Sequence, residues 1–389
     1  MKKKIAILGS TGSIGRTTLK LLEKKNKNFN IVLLTADKDY KNLLIQAKKY
    51  HVKNLIITNA KSYELLKIKC KKLNIKIFNN FNCFENIFKK KLHYVMSSIT
   101  GIDGLLPTIN IIKYTKKIAI ANKESIICGW KLINKELKKN KTKFIPVDSE
   151  HFSLWYGLNN LNIKNVENIY LTASGGPFYK TPINKLQNVK ISQALNHPNW
   201  KMGKKISIDS ATLINKIFEV IEAKNIFNLS YKKISILIHP SSYIHAIIKF
   251  NNGLIKLIAH ETTMKVPIFN SIFSNFHEKI KTRKIDIKKL NELNLNLINK
   301  ERYPMVKLLN YLPSINSLYE TVIVSANDTL VDLYLKKKIK FLDINKLLFK
   351  FISQKEFLKY KTKIPKSVNE ISNLNQYVRL KIIENVYKS

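Results

Sequence analysis

Two carboxylates separated by a single residue, Asp148 and Glu150, follow the apolar segment Phe144-Ile145-Pro146-Val147 in a chain with only 26 Asp plus Glu against 69 Lys plus Arg. If that backbone is extended, residues two apart point to the same side, so both acids aim at one point and make a seat for a cation. Hard divalent ions take oxygen ligands and need more than two of them, so the seat requires a third acid from elsewhere. The competing reading is that Asp148 and Ser149 cap a helix begun by His151-Phe152-Ser153-Leu154-Trp155.

Residues 206–222 supply a candidate third acid. They read as a helix beginning near Asp209 or Ser210, on which Asn215, Lys216 and Glu219 share one side. Glu219 then completes the set, and Ser210 near the positive helix end, with Asn215 and Lys216, suits a phosphate. Otherwise Lys216 and Glu219 are a surface pair worth about a few tenths of a kcal/mol. Upstream, Ala173-Ser174-Gly175-Gly176-Pro177-Phe178 brings backbone donors and a hydroxyl close to an anion, or is an ordinary tight turn. His197-Pro198-Asn199-Trp200-Lys201-Met202-Gly203 has the punctuation of a lid, although a Trp fixed in a core reads the same way. His239 and His245 are left outside the site, because strand histidines are more often structural.

The elements that must hold these residues begin with a short strand over 4–8, the turn Gly9-Ser10-Thr11-Gly12-Ser13-Ile14-Gly15 and a helix through Leu19 and Leu22. A glycine-rich strand-to-helix turn lets backbone N–H groups approach a pyrophosphate at a positively polarised helix end. The next strand, 31–35, ends at Ala36-Asp37-Lys38-Asp39, where such folds meet the adenosine ribose. Lys38 favours a 2′-phosphate there and Asp37 a free hydroxyl; a solvated turn is the third reading. Apolar segments at 54–57, 75–78, 94–96 and 118–121 alternate with helical patterns, as a doubly wound parallel sheet requires. Asn122-Lys123-Glu124-Ser125 follows the last of them, either where ligands bind in such sheets or as a helix cap. Residues 231–249 alternate like sheet, and from 301 onward the spacing is helical.

The expected architecture is α/β: a doubly wound, Rossmann-like domain over 1–147, a central α+β catalytic and dimerisation domain over 148–275, a polar linker over 276–300, and a helical bundle over 301–389. A length of 389 residues accords with several domains. No apolar run is long enough to span a bilayer, and Ile5-Ala6-Ile7-Leu8 after Met1-Lys2-Lys3-Lys4 imitates a signal peptide for only four residues, so a cytoplasmic protein is expected. Cys70, Cys83 and Cys128 are too few and too scattered for a disulfide framework. The formal charge of +43 invites a basic RNA-binding protein as a rival, but lysine is spread along the whole chain without a nucleic-acid motif, as in a compositional bias. A second rival, another NAD(P) dehydrogenase using a cysteine nucleophile, would need a histidine partner for Cys128 that the sequence does not make evident.

Taken in order, Gly9-Ser10-Thr11-Gly12-Ser13-Ile14-Gly15, Ala121-Asn122-Lys123-Glu124-Ser125, Pro146-Val147-Asp148-Ser149-Glu150-His151, Ser174-Gly175-Gly176-Pro177-Phe178, His197-Pro198-Asn199-Trp200 and Asp209-Ser210-Ala211-Thr212 with Asn215, Lys216 and Glu219 resemble the 1-deoxy-D-xylulose 5-phosphate reductoisomerase family. The resemblance implies NADPH and a divalent metal (Mn2+, Mg2+ or Co2+), conversion of 1-deoxy-D-xylulose 5-phosphate to 2-C-methyl-D-erythritol 4-phosphate in isoprenoid precursor synthesis, and a V-shaped homodimer. It implies Asp148, Glu150 and Glu219 as metal ligands. Thr11, Gly12, Ser13, Ile14, Asn122, Glu124 and Gly203 would meet NADPH, with Ala36, Asp37, Lys38 and Asp39 around its adenosine phosphate. Lys123, Ser149, Glu150, Ser174, His197, Ser210, Asn215, Lys216 and Glu219 would meet the phosphosugar, with Trp200 and Met202 on a closing flap. The resemblance further implies Lys123, Asp148, Glu150 and Glu219 as the catalytic set. Asp37 and Asp39 depart from the family's usual small or amide residues, and Ile217-Phe218 from its usual Gly and aliphatic pair.

Overall fold

The computed structural model describes residues 2–23, 28–273 and 278–388. Two compact units emerge: Met1–Ser125 with Lys131–Asp148 and Met264–Ile280, and Ile126–Trp130 with Ser149–Thr263 and Lys281–Ser389. The boundary expected at 275–276 falls outside the described residues.

In the first unit, strands β1 (Lys3–Leu8), β2 (Phe29–Ala36), β3 (Asn54–Ile57), β4 (Lys76–Phe78), β5 (Tyr94–Ser97), β6 (Lys117–Ile120) and β7 (Lys143–Pro146) form one parallel sheet in the order β4-β3-β2-β1-β5-β6-β7. Residues Ile5–Leu8 of β1 are fully buried, the continuous apolar run of a parallel strand covered on both faces. Ile7, Leu34, Leu55, Ile57 and Met96 share a core with Leu19 and Leu22 of helix α1 (Ser13–Glu23) and Leu43 and Ala47 of α2 (Tyr40–Lys49). β1 lies between β2 and β5, so the order reverses beside it, and ligands of open α/β sheets bind at such a switch point. Helix α3 (Lys123–Asn140) leaves the end of β6, and β7 ends at Pro146, two residues before Asp148.

Past Asp148 the second unit continues with helix α4 (Ser149–Gly157). Its sheet takes β8 (Val166–Ala173), β9 (Ile234–Ile238), β10 (Ile244–Phe250) and β11 (Ile255–Ala259) in the order β11-β10-β8-β9, parallel between β8 and β9 and antiparallel elsewhere. Helices α5 (Lys204–Thr212) and α6 (Ile214–Phe227) follow from the stretch read as one helix starting near Asp209. The break is at Leu213, whose φ of 68° is left-handed; a non-glycine residue there costs roughly 1–2 kcal/mol. Ser210 therefore stands near the end of α5, while Asn215 and Lys216 stand in the first turn of α6. That turn, not Ser210, carries the positive helix end. The terminal helices include α7 (Leu318–Leu335), buried along nearly its whole length, which packs against α8 (Phe341–Ile352) and α9 (Val368–Lys388). Among the described residues, no helix is long and apolar enough to cross a membrane.

Candidate active site

The glycine turn after β1 is fastened from outside. Gly9 N–H donates to Thr35 Oγ1 and Ser10 N–H to Thr35 O, both at 2.8 Å, while Ser10 Oγ donates to Gln46 Oε1 at 2.7 Å. Gly9 has φ +79° and sits so near β5 that a Cβ would stand 2.7 Å from Ser98 O. A Cβ on Gly15 would run into Gly9 O and come within 2.7 Å of Ser10 C, so the first turn of α1 presses onto the loop. A backbone cradle this close, at a helix start, fits a pyrophosphate. Gly15→Ala is expected to weaken NADPH binding by about tenfold and to lower Tm by several degrees, because the added methyl must push the loop away; fluorescence titration and a thermal melt check both.

At the end of β2, Ala36 is buried and Asp37 accepts a hydrogen bond from Thr58 Oγ1 at 2.9 Å. Asp39 caps α2 by accepting from Asn42 N at 3.1 Å, and Lys38 is largely exposed with its Nζ 4.0 Å from Asp37. Asn122 is likewise a cap, accepting from Ser125 N at 2.8 Å, while its amide donates to Gly101 O at 2.7 Å and to Ile99 O. It thereby ties α3 to the loop after β5, and Glu124 is buried in the following turn. Lys123 places its ammonium 3.2 Å from Asp148 Oδ2.

Glu150 proves to lie in the first turn of α4 rather than in an extended strand, a correction to the expected geometry: β7 ends at Pro146 and helix begins at Ser149. The acids nevertheless converge. Asp148 is peptide-bonded to the first residue of α4, so its place beside Glu150 is set by the local chain. Within the second unit, one oxygen each from Glu150 and Glu219 lie within 4.8 Å of one another. Three carboxylate donors fit Mg2+ or Mn2+ in preference to a soft metal.

Polar neighbours hold the acids in place. Ser149 Oγ donates to Glu150 Oε2 at 2.6 Å, and Asn215 Nδ2 donates to Glu219 Oε1 at 2.5 Å. Lys216 Nζ donates to Glu150 Oε1 at 2.8 Å and pairs with Glu219. Burial alone would lower the Lys216 pKa, but the two carboxylates hold it well above the ordinary lysine range. Asn215 and Lys216, expected at a phosphate, thus engage the acids here.

Two supports escaped the sequence reading. Buried His151 sets Nε2 2.8 Å from the Glu219 carbonyl oxygen, linking α4 to α6, and its Nδ1 is 3.7 Å from Glu222 Oε2. Asp209 is buried between Lys205, at 2.9 Å, and Asn327 of α7, whose amide donates to it at 2.8 Å. The only sequence signals were His151 beside Glu150 and Glu222 one helical turn beyond Glu219.

The small-residue loop after β8 has Gly175 at φ +82° and Gly176 at φ +69°; a Cβ on Gly176 would stand 2.9 Å from Ser210 O. The loop is therefore packed onto the Ser210 turn, which brings Ser174 toward Ser210. Ser174 Oγ lies 2.9 Å from His197 Nε2. Asn199, Trp200 and Met202 follow His197, and Gly203 is the N-cap of α5. Burial pushes the His197 pKa down to about 4, so its ring is neutral near pH 7.

Three family models match the chain: 1-deoxy-D-xylulose 5-phosphate reductoisomerase over residues 5–129, the C-terminal domain of that enzyme over 144–227, and a further DXP reductoisomerase C-terminal domain over 260–381. A 1-deoxy-D-xylulose 5-phosphate reductoisomerase of Pelagibacter ubique (strain HTCC1062) is 56% identical over 382 residues, 98% of each chain. That of Aquifex aeolicus (strain VF5) is 33% identical, covering 98% of this chain and 97% of its own. Among solved structures, the enzyme from Zymomonas mobilis in complex with NADPH superposes with a TM-score of 0.87 at 29% identity and 99% coverage of both chains. A DOX-P reductoisomerase in complex with NADPH, fosmidomycin and magnesium superposes at 0.85 with 28% identity, covering 99% of this chain and 98% of that one.

Proposed function

The chain belongs to the 1-deoxy-D-xylulose 5-phosphate reductoisomerase family, and from that membership we propose that Asp148, Glu150 and Glu219 are its metal ligands and Lys123 its fourth catalytic residue. The enzyme converts 1-deoxy-D-xylulose 5-phosphate to 2-C-methyl-D-erythritol 4-phosphate with NADPH and a divalent metal. We read the reaction as a carbon-skeleton rearrangement followed by reduction, within isoprenoid precursor synthesis in the cytoplasm. The oxygen donors suit Mn2+ and Co2+ as well as Mg2+. The observation that carries the assignment is the approach of Glu150 and Glu219 carboxylate oxygens within 4.8 Å, with Asp148 held next to them by the local chain.

When bound, the ion supplies Lewis-acid polarisation of the sugar's carbonyl and hydroxyl oxygens, and NADPH supplies hydride. The remaining work is done by the chain's own residues. Lys123 orients Asp148, and Lys216 and Asn215 hold Glu150 and Glu219 aimed together. Ser174, Ser210, Asn215 and Lys216 anchor the phosphate end of the substrate, with His197 behind Ser174, so that binding energy far from the reacting carbons positions them. Ser149 contacts the sugar beside Glu150, and Trp200 and Met202 on the flap exclude water. Thr11, Gly12, Ser13 and Ile14 take the pyrophosphate, Ala36 to Asp39 the adenosine end, and Asn122, Glu124 and Gly203 the remainder of NADPH. Following NADPH absorbance with 1-deoxy-D-xylulose 5-phosphate tests the reading: oxidation that requires added Mg2+ or Mn2+ supports it, and metal-independent oxidation contradicts it.

A homodimer completes the proposal. β11 is an outer strand whose Ile255 and Leu257 are 55% and 49% exposed, and Leu254 just before it is 65% exposed. An apolar edge of this kind is normally covered. Leu257→Glu is expected to shift sedimentation from dimer toward monomer at micromolar protein; an unchanged dimer would place the interface elsewhere.

A further inference from the structure

The hydrogen bonds around His197 determine which of its nitrogens carries the proton. The backbone N–H groups of Asn199 and Trp200 both donate to Nδ1, each at 3.1 Å. Nδ1 is therefore an acceptor, and a neutral imidazole with an acceptor at Nδ1 carries its proton on Nε2. The 2.9 Å contact between Nε2 and Ser174 Oγ is accordingly a bond donated by the histidine. The same Ser174 oxygen accepts a second bond, from Gly176 N–H at 3.0 Å. A hydroxyl has two acceptor positions and one proton. With both acceptor positions filled, Ser174 has only its proton left to offer.

Asn199 is fixed in turn on the opposite side. Its amide donates to Pro240 O at 2.5 Å and to Ser242 Oγ at 3.0 Å, in the loop between β9 and β10. A single imidazole thus gathers the start of the flap on one nitrogen and sets the polarity of a serine on the other.

We propose that His197 is a positioning residue that couples the flap backbone at Asn199 and Trp200 to Ser174, holding the serine as a donor-only hydroxyl directed at a phosphate oxygen. The inference rests on the reading above that Ser174 contacts the substrate's phosphate. It adds what gives that contact its direction: an acceptor such as a phosphate oxygen satisfies Ser174, whereas a ligand group that can only donate does not. It also gives the flap a direct connection to the phosphate subsite through one side chain.

Two substitutions separate the nitrogens. His197→Asn keeps an oxygen near the Nδ1 position to accept from the flap backbone but has no donor long enough to reach Ser174. His197→Gln reaches Ser174 with an amide donor but has no acceptor at the Nδ1 position. Binding of inorganic phosphate to the full-length protein is measured by calorimetry for both variants, for Ser174→Ala and for Ser174→Ala with His197→Asn, alongside amide hydrogen exchange at Asn199 and Trp200. Ser174→Ala and His197→Asn are each expected to weaken phosphate binding by about tenfold, and the double variant to be no weaker than Ser174→Ala alone. His197→Gln is expected to keep phosphate affinity within about threefold while exchange at Asn199 and Trp200 speeds up. Additive losses in the double variant, or wild-type phosphate affinity in His197→Asn, overturn the coupling and spare the subsite. Ser174→Ala binding phosphate as tightly as wild type overturns the subsite, and the proposal with it. Thermal melts identify any variant that is merely unfolded, and the other histidine variant then decides through its own readout.

Discussion

Glu219→Gln is expected to lower metal-dependent turnover by on the order of 10³-fold while leaving NADPH affinity within about twofold. The substitution keeps the shape of the side chain and replaces one of three carboxylates with a neutral amide. A metal's electrostatic stabilisation of developing charge is worth several kcal/mol, and each 1.4 kcal/mol or so is a factor of ten in rate. Glu219 is almost fully buried, so water cannot readily replace the missing charge, and Lys216 loses one of the two acids that hold its ammonium among them. NADPH binding should be spared because the glycine cradle belongs to the first unit and Glu219 to the second. Turnover at saturating Mg2+ and NADPH titration without the sugar measure the two effects separately. Equal losses in both would contradict the assignment of Glu219 to the metal.

How much of this was legible in the sequence depends on how local each signal is. β1 and the glycine turn were readable because a run of buried residues ending in closely spaced glycines has few alternatives. Glu219 was readable because residues three and four apart share a helix face wherever the helix begins. The helix start itself was not, since a leucine at positive φ is rare and Leu213 carries no side-chain signal for it. Asp148 and Glu150 were expected to meet through the two-residue period of a strand; they meet because a helix begins between them, a distinction that alternating polarity over three residues cannot make. Asp39 and Asn122 look like ligand contacts and also prove to be helix caps, which is the same chemistry of a short polar side chain turned toward backbone N–H groups. His151, Glu222 and the polarity of Ser174 depend on partners distant in the chain, which no local pattern announces.

Replacing Glu320 with Gln is expected to stabilise the protein by about 3 kcal/mol at pH 8 and to have almost no effect at pH 4.5. Glu320 lies in the first turn of α7, fully buried, and completes a capping box by accepting from Ser317 N at 3.0 Å and Ser317 Oγ at 2.6 Å. Burial is the largest influence on its carboxyl and raises the pKa from 4.5 to about 7, against smaller lowering by the Ser317 bonds and the charge of Lys224. Lys224 and Tyr231 face it from the neighbouring elements, and neither reverses the shift. Between pH 4.5 and 7 the folded chain holds a proton that the unfolded chain has released, so stability is full below 4.5, declines as pH rises through this window, and levels off once Glu320 is ionised in both states. Glutamine can still cap through its amide oxygen but has no proton to lose, so its variant should lack this part of the slope. Denaturant midpoints across pH 4.5–8 measure it. Parallel curves for the two proteins would mean that Glu320 ionises in the folded protein as readily as in water, so that its buried position costs the charge nothing.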